Sequence, residues 1–212
     1  ASAPNGGDGG AIETSGAHVK VADGSTITTL AASGSNGSWL IDPQDFTIAS
    51  TGGDISGATL SSQLASGNVT IQSSTGGTAG NGDIFVEDTV SWSANTLTLN
   101  AYRNIVIDTA MNGSGTAGLA LQYGQGSTNG VIGGITSDYL VNAPINLASG
   151  GSFSTKLGSS GSTVNYTVIT SLGAAGDATT APGTMTLQGM AASTSLSGHY
   201  VLGANIDASA TS

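Results

Sequence analysis

Residues 83–123 of this 212-residue chain read DIFVEDTVSWSANTLTLNAYRNIVIDTAMNGSGTAGLALQY, and this stretch decides the class of fold. Short apolar–polar alternations recur in it, as in TLTLNA at residues 96–101, and Gly, Ser, Asn and Asp separate them. An alternation of period two lets a strand bury one face and expose the other. No segment of the chain carries a sustained helical stripe of apolar residues. The sequence therefore predicts an almost entirely β protein.

Outward from this stretch, the same alternation predicts short strands along the whole chain. They lie at residues 18–21, 39–41, 46–48, 68–72, 83–86, 90–92, 96–101, 104–108, 118–123, 164–169, 185–187 and 200–202. Glycines between them, such as Gly113 and Gly115, supply the backbone freedom that sharp corners require.

The spacing of equivalent apolar residues indicates a repeat. Intervals of 21 or 22 positions separate Ile84 and Ile105, Val69 and Val90, and Leu97 and Leu119. A strand that buries two or three side chains cannot offset its own ordering entropy, so its stability must come from neighbours stacked about 4.8 Å away. We therefore predict a right-handed parallel β-helix, a solenoid with about 21 residues per coil and extruded loops.

Two parts of the chain differ in regularity. Residues 1–125 are predicted to form regular coils of the β-helix. Further along, the period weakens at Pro144, in the polar run 156–162 and in the Gly-rich run 173–184. Because Pro and Gly interrupt strands, residues 126–212 are predicted to continue the same solenoid with longer loops.

The composition argues against several classes of protein. The chain carries 3 basic and 13 acidic residues, a net charge of −10, and its pI is about 4.1, so it would repel phosphate backbones and anionic membrane surfaces. Without cysteine it can form neither disulfides nor thiolate metal sites. No apolar run reaches about eighteen residues, so membrane insertion is not expected. Residues 205–208 look like the start of a further strand, which indicates a piece of a longer parent chain.

Two motifs near the amino terminus, GAIETSG at residues 10–16 and WLIDP at residues 39–43, resemble a signature of the filamentous-haemagglutinin family. Residues 82–105 resemble the coils that follow this signature in high-molecular-weight adhesins and biofilm-matrix adhesins. Residues 187–207 are similar to modules found further along such exoproteins. Members of this family are exported by two-partner secretion.

The resemblance implies a secreted protein of the bacterial cell surface, whose parent chain would pass through an outer-membrane two-partner secretion transporter. It implies a virulence-associated module for structure and binding, without catalytic activity or cofactor. Such a module would attach cells to extracellular polysaccharide, to a host-surface glycan or protein, or to a biofilm matrix. Some members capture host haem-carrier proteins through projecting loops, which leaves capture through the loop 173–184 as an alternative.

Two groups of side chains are candidates for contact with sugars. Glycosylated members of the family make the four Asn-x-Ser/Thr sequons candidate glycosylation sites: Asn36, Asn68, Asn112 and Asn165. Aromatic rings on an outward face can stack on sugars, and the candidate glycan contacts are Tyr102, Tyr139 and Tyr166. Trp39 and Trp92 fall within apolar alternations and are predicted to pack in the core.

A polysaccharide-degrading enzyme on a β-helix scaffold is the second class of function. Cleavage would need two carboxylates that face each other across a sugar, and the candidates are Asp42, Asp45, Asp54, Glu87 and Asp88. Their positions at predicted turns favour structural roles. His18 and His199 lie 181 positions apart, and the run 6–10 has no second copy of a calcium-binding repeat, so no metal site is predicted.

Overall fold

The computed structural model describes residues 1–75, 80–181, 183–192 and 196–209; residue 182, in the predicted loop 173–184, lies outside them. The strands of the described residues are β1 (Ala11–Ser15), β2 (Ser38–Asp42), β3 (Phe46–Ile48), β4 (Asn68–Gln72), β5 (Ile84–Val86), β6 (Val90–Trp92), β7 (Thr96–Asn100), β8 (Ile105–Ile107), β9 (Met111–Gly113), β10 (Gly118–Tyr123), β11 (Val131–Ile132), β12 (Ile135–Thr136), β13 (Tyr139–Val141), β14 (Ile145–Leu147), β15 (Ser152–Leu157), β16 (Val164–Ile169) and β17 (Tyr200–Leu202). One α-helix, α1 (Gly57–Leu64), and a 3₁₀ turn (Gly189–Ala191) accompany them.

Successive strands of the chain are distributed over three main sheets. The first has the order β1-β2-β4-β7-β10-β15-β16-β17, the second β13-β8-β5-β3 and the third β14-β9-β6. Consecutive strands β7, β8 and β9 therefore lie in three different sheets, and β10 returns to the first. Pairing in these sheets is parallel except between β15 and β16, and β11 and β12 form a separate antiparallel pair. The predicted all-β class is confirmed, with largely parallel sheets.

The predicted spacing is confirmed in the middle of the chain. In-register partners there are Ile84 and Ile105, Val90 and Met111, and Leu97 and Leu119. The first two pairs are 21 positions apart and the third is 22 apart. Short turns connect the strands in this stretch, so the interval stays constant.

Elsewhere the interval is longer, and a uniform spacing of about 21 residues is wrong. Val69 pairs with Leu97, 28 positions on, and not with Val90 as the sequence suggested. Phe46 pairs with Ile84 at an interval of 38, because both the segment that contains α1 and the connection from β4 to β5 are longer than their counterparts in the middle of the chain. The interval from β10 to β15 is 34, because the hairpin of β11 and β12 is inserted there.

Side chains that point between the sheets form columns of similar residues. One register position of the first sheet holds four fully buried side chains: Ile41, Ile71, Leu99 and Leu121. The corresponding column of the second sheet is Phe46, Ile84 and Ile105. Each fully buried aliphatic side chain contributes about 1.5–3 kcal/mol, so the stacking supplies stability that an isolated short strand lacks.

One ion pair links two turns of the middle stretch. The buried Asp83 carboxylate accepts from Arg103 Nε at 2.9 Å and from Arg103 Nη2, and it also accepts from the Asn104 N–H at 2.9 Å. The hydrogen bond that the Arg103 guanidinium donates to Asp83 raises the pKa of Arg103. This two-pronged pair fixes the turn before β5 against the turn before β8.

The structure contains a helix that was not predicted from the sequence. Ser56 caps α1 by accepting from the Thr59 N–H, and Leu60 and Leu64 are buried on one face of the helix. With only eight residues, α1 is too short to produce a periodic apolar stripe. The capping serine and the i, i+4 leucine pair were the available signals.

Several strand predictions also need correction. Residues 18–21 form no strand, since the Val21 N–H donates to the Asp54 carbonyl at 2.7 Å and no ladder follows. Residues 185–187 form none either, because the Met185 N–H closes a turn onto the Ala181 carbonyl. Strands β1, β9 and β11 to β15 were not predicted from the sequence. Of these, β15 extends into the run 156–162, which was predicted to be a loop.

The chain direction reverses once in the first sheet. Phe153 of β15 faces Tyr166 of β16 in an antiparallel pair, and β17 then pairs with β16 in parallel, with Thr167 opposite Tyr200. At the β14 edge of the third sheet, the Leu147 N–H donates to the carbonyl of Gly203, which follows β17, at 2.8 Å. That residues 126–212 continue one solenoid stays a prediction.

Candidate binding groove on the third sheet

The outward face of the third sheet carries a column of neutral polar side chains. Ser91 of β6, Asn112 of β9 and Asn146 of β14 share one register position. Asn146 Nδ2 donates to Asn112 Oδ1 at 2.8 Å, and Asn112 Nδ2 donates to Ser91 Oγ at 3.5 Å. In-register parallel strands, about 4.8 Å apart, bring these side chains into hydrogen-bonding distance. The result is a continuous ladder of amides and hydroxyls.

Helix α1 extends this ladder beyond the edge of the sheet. It packs against β6, and Ser61 Oγ accepts from the Ser91 N–H at 2.9 Å. The same hydroxyl donates to the Gly57 carbonyl at 2.6 Å, which fixes its orientation. The helix thereby supplies a partner for an edge-strand N–H that would otherwise need water.

A groove of about 540 Å³ follows the ladder. Its walls contain the four ladder residues and a further set of small or aromatic residues: Ala65, Trp92, Ser93, Gly113 and Ser114. None of these residues carries a charge. The groove therefore offers hydrogen bonds and apolar contact without an ionic anchor, which is the chemistry that suits a neutral, hydroxyl-rich ligand.

Trp92 forms part of the groove and carries an unmet hydrogen-bond donor. The residue is 5% exposed, which confirms its predicted place in the core, and its Nε1 is buried without a hydrogen-bond partner among the described residues. Gly113 lies opposite Trp92 in register, and a Cβ there would come within 2.7 Å of Leu147 Cδ2. Trp39 is buried as predicted, but its Nε1 donates to Thr14 Oγ1 at 3.1 Å.

The four sequons lie in different environments. Asn36 is half-buried; its Oδ1 accepts from the Ala31 N–H at 3.0 Å, and its Nδ2 donates to Asn95 Oδ1 at 3.4 Å. The other three are Asn68 and Asn165, which are exposed, and Asn112, which lies in the groove. A sugar on Asn112 Nδ2 would replace its bond to Ser91. Glycosylation at these positions stays a prediction.

The candidate tyrosines do not form one platform. Tyr139 lies 5.1 Å from Tyr123 between ring centroids, and burial raises the pKa of both phenols, with a further contribution from neighbouring phenols. Tyr166 packs against Phe153 at 5.3 Å and against His199 at 5.8 Å. The half-buried Tyr102 lies at another turn, where its ring occupies the space beside Gly126. Their contact with glycans stays a prediction.

Most of the candidate carboxylates cap backbone groups. Asp45 Oδ1 accepts from the N–H groups of Gly82 and Asp83 at 2.7 and 2.8 Å. Asp54 Oδ2 accepts from the Thr47 N–H at 2.8 Å, and Asp88 Oδ2 accepts from the Gly57 N–H at 2.8 Å. These bonds are the structural turn contacts that the sequence favoured. Glu87 is exposed.

Asp42 differs from the other candidate carboxylates. Burial raises its pKa, and the nearby Glu13 carboxylate raises it further, against a lowering by the hydrogen bond from Gln72. Its Oδ2 accepts from Gln72 Nε2 at 3.4 Å, whereas its Oδ1 is buried with no partner among the described residues. Within the described part of the chain, no three His, Asp or Glu side chains are grouped as metal ligands.

Comparisons with protein families, with curated proteins and with solved structures find no match to this chain. The described residues contain no helix with the length and apolar character needed to cross a membrane. Fold and site together define an all-β protein of largely parallel sheets, with an uncharged polar groove on the third sheet.

Proposed function

We propose that this chain is an extracellular bacterial adhesin segment that binds glycans on a cell surface or in a biofilm matrix. The observation that carries the proposal is the Ser61-Ser91-Asn112-Asn146 ladder, which lines an uncharged groove. Sugars present arrays of hydroxyls, and side-chain amides and hydroxyls can both donate to and accept from them. The side chains that line this groove are uncharged, so they suit the recognition of a sugar better than the cleavage of a bond.

The architecture that we propose is a right-handed parallel β-helix with extruded loops. Support comes from the distribution of consecutive strands over three sheets and from the in-register intervals of 21 and 22 in the middle of the chain. Such a rod would extend binding surfaces away from the cell. Its parent chain would leave the cell through an outer-membrane two-partner secretion transporter, as the resemblance of residues 10–16 and 39–43 implies.

The proposal predicts weak binding by one copy and strong binding by many. A single groove would contribute few contacts, whereas several copies on one particle would raise the apparent affinity by about 10²- to 10⁴-fold. The test is a glycan array probed with the free chain and with the chain coupled to beads. A set of glycans bound by the beads is the expected result. If the beads bind no glycan, the proposal fails.

A polysaccharide-cleaving enzyme is the second candidate, and Asp42 is the observation that favours it. A carboxyl group with a raised pKa beside a second carboxylate, Glu13, is a pattern found in general acids. The test measures reducing-sugar release from array-positive polysaccharides by the wild type and by Asp42→Asn. Release that the substitution abolishes would establish the enzyme, and binding without release would leave the adhesin as the function.

A further inference from the structure

The second sheet contains a repeated side-chain contact that was not predicted from the sequence. The residue before each of its four strands is Asp or Asn, and these residues form the Asx column: Asp45, Asp83, Asn104 and Asp138. At each step, a side-chain oxygen of one member accepts from the backbone N–H of the next member, at 2.8, 2.9 and 3.0 Å. The Asx column therefore links every pair of neighbouring strands in this sheet.

Two backbone hydrogen bonds accompany each contact of the Asx column. The first residue of a strand donates its N–H to the carbonyl of the next column member, as the Ile105 N–H does to the Asp138 carbonyl at 3.1 Å. At the other end, the residue after a strand donates back to the preceding strand, as the Asn142 N–H does to the Ile107 carbonyl at 2.8 Å. The same two bonds join β3 to β5 and β5 to β8. Every junction of the second sheet thus follows one pattern.

Strand β13 is the point at which this pattern stops. Among the described strands, only β8 pairs with β13, so the other side of β13 is an open edge. Asp138 Oδ1 and the Tyr139 N–H, whose counterparts in the other strands contact a following strand, bond to each other at 2.8 Å. The Asp138 carbonyl and the Asn142 N–H point to β8, so the alternating N–H and carbonyl of Val141 point to the open edge. The edge therefore has the donors and acceptors for one more strand.

The side chains of β13 are also uncovered. Val141 continues an inward column whose other members, Ile48, Val86 and Ile107, are fully buried, yet Val141 is 46% exposed. On the outward side, Leu140 is exposed to the same extent. An open strand edge with exposed apolar side chains is a template for pairing with another chain. A strand that covers this edge needs apolar side chains at its inward positions.

We propose that the β13 edge binds an extended segment of a partner polypeptide, which adds to the second sheet as a parallel strand. The Asx column fixes the register, because the first residue of the segment donates its N–H to the Asp138 side chain. Apolar residues of the segment then lie next to Tyr139 and Val141. The sequence pattern of the segment is therefore a polar residue, an apolar residue, any residue and an apolar residue.

Charge specifies the partner further. Asn is preferred to Asp at the first position of the segment, since Asp138 is exposed and the Arg103 guanidinium already pairs with Asp83. A second copy of this chain is disfavoured as the partner because each copy carries a net charge of −10. The inference goes beyond the proposed glycan binding and does not depend on it.

The experiment is an NMR titration of the whole ¹⁵N-labelled chain with a synthetic peptide, RNIVIDT, that copies residues 103–109 and carries the required pattern. We expect saturable shifts of the Tyr139 and Val141 backbone N–H signals and slower hydrogen exchange at Val141. The Ile107 N–H should not change, because β8 is already paired on both sides. A nitroxide at the amino end of the peptide should broaden signals at Asp138 and not at Asn142, as a parallel strand requires. The control peptide RNSVSDT, with serine at both apolar positions, should not bind.

A proline substitution tests the backbone of the edge. Val141→Pro removes the N–H that faces the incoming strand, and edge strands tolerate proline where the N–H faces solvent. The variant should fold and lose peptide binding. Leu202→Pro is the matched control, because Leu202 is an exposed residue of another edge strand, β17, and it should bind like the wild type. Thermal unfolding shows whether both variants fold.

A charge pair tests the register and decides the proposal even if Val141→Pro does not fold. The peptide RDIVIDT places a carboxylate next to Asp138 and should bind about two- to fivefold more weakly than RNIVIDT, the value of one exposed charge contact. Asp138→Asn should remove this difference between the two peptides. An unchanged difference in Asp138→Asn would show that the first residue of the peptide does not lie beside Asp138.

The remaining outcomes are equally decisive. The absence of saturable shifts with RNIVIDT, equal binding of RNSVSDT, broadening at Asn142, or full binding by a folded Val141→Pro overturns the proposal. If the chain alone sediments as oligomers that Val141→Pro dissociates, the occupant of the edge is a second copy, which overturns the assignment to a partner polypeptide. Failure of the glycan array leaves this inference standing, so the two proposals fail separately.

Discussion

The middle of the chain and the part that follows it both stack short strands in register, but the sequence intervals between paired strands differ. Residues 83–123, the regular segment, pair at intervals of 21 and 22, with inward side chains fully buried. Residues 124–181, the irregular segment, pair with the regular segment at an interval of 34. They expose Ile135 and Leu140 at 73% and 46%. The strands of both segments nevertheless stay in register.

This difference shows that register depends on the strands and that the interval depends on the connections. Lengthening a connection from 21 to 34 residues adds only about 0.4 kcal/mol of loop-closure entropy. A mispaired strand would instead turn its apolar side chains to solvent. Insertions such as the hairpin of β11 and β12 are therefore tolerated between strands, whereas each inward column is not free to change.

The largest effect should come from the core of the regular segment. Ile105 is fully buried in β8, between β5 and β13, so Ile105→Ala should lower the free energy of unfolding by about 2–5 kcal/mol. Val201 is half-buried in β17 at the end of the first sheet, and Val201→Ala should cost about 1 kcal/mol or less. Urea denaturation measures both. Equal losses would show that the regular segment and the β17 end of the first sheet are equally stable.

A smaller effect is expected from the ion pair of the regular segment. Arg103→Met would leave the buried Asp83 carboxylate without its cation, at a cost of about 1–3 kcal/mol. The loss should be below that of a fully buried pair because the Arg103 side chain is 35% exposed. Arg103→Lys is the matched variant, because it keeps the charge but loses the two-pronged contact. Its stability should fall between that of the wild type and that of Arg103→Met. Unchanged stability in Arg103→Met would show that Asp83 is satisfied by the Asn104 N–H alone.

The regular segment explains how much could be predicted from the sequence. Strands such as β6 and β10 were located to the residue because alternation is a local property. The pairing of Val69 was wrong because residues 73–83, which connect β4 to β5, are longer than the connection from β7 to β8, and nothing in the sequence marks them as an insertion within a repeat. The groove was missed because of a second insertion, the hairpin of β11 and β12. Ser91 and Asn112 lie 21 positions apart, but Asn146 lies 34 beyond Asn112, off the apparent period.

The smallest effect concerns Asp42, the last residue of β2 in the part of the first sheet that precedes the regular segment. Because burial and Glu13 raise its pKa, the ionised carboxylate destabilises the folded state relative to the unfolded chain. Asp42→Asn should therefore be more stable than the wild type at neutral pH, by less than about 1 kcal/mol because water screens a partly exposed group. As the pH falls through the raised pKa, Asp42 of the wild type becomes protonated and the difference in stability shrinks. The difference should vanish below the ordinary pKa value of 3.8.

Glu13→Gln should change stability in the same direction, and thermal unfolding between pH 3 and pH 7 tests both variants. A less stable Asp42→Asn at neutral pH would mean that the ionised carboxylate makes a favourable contact in the fold.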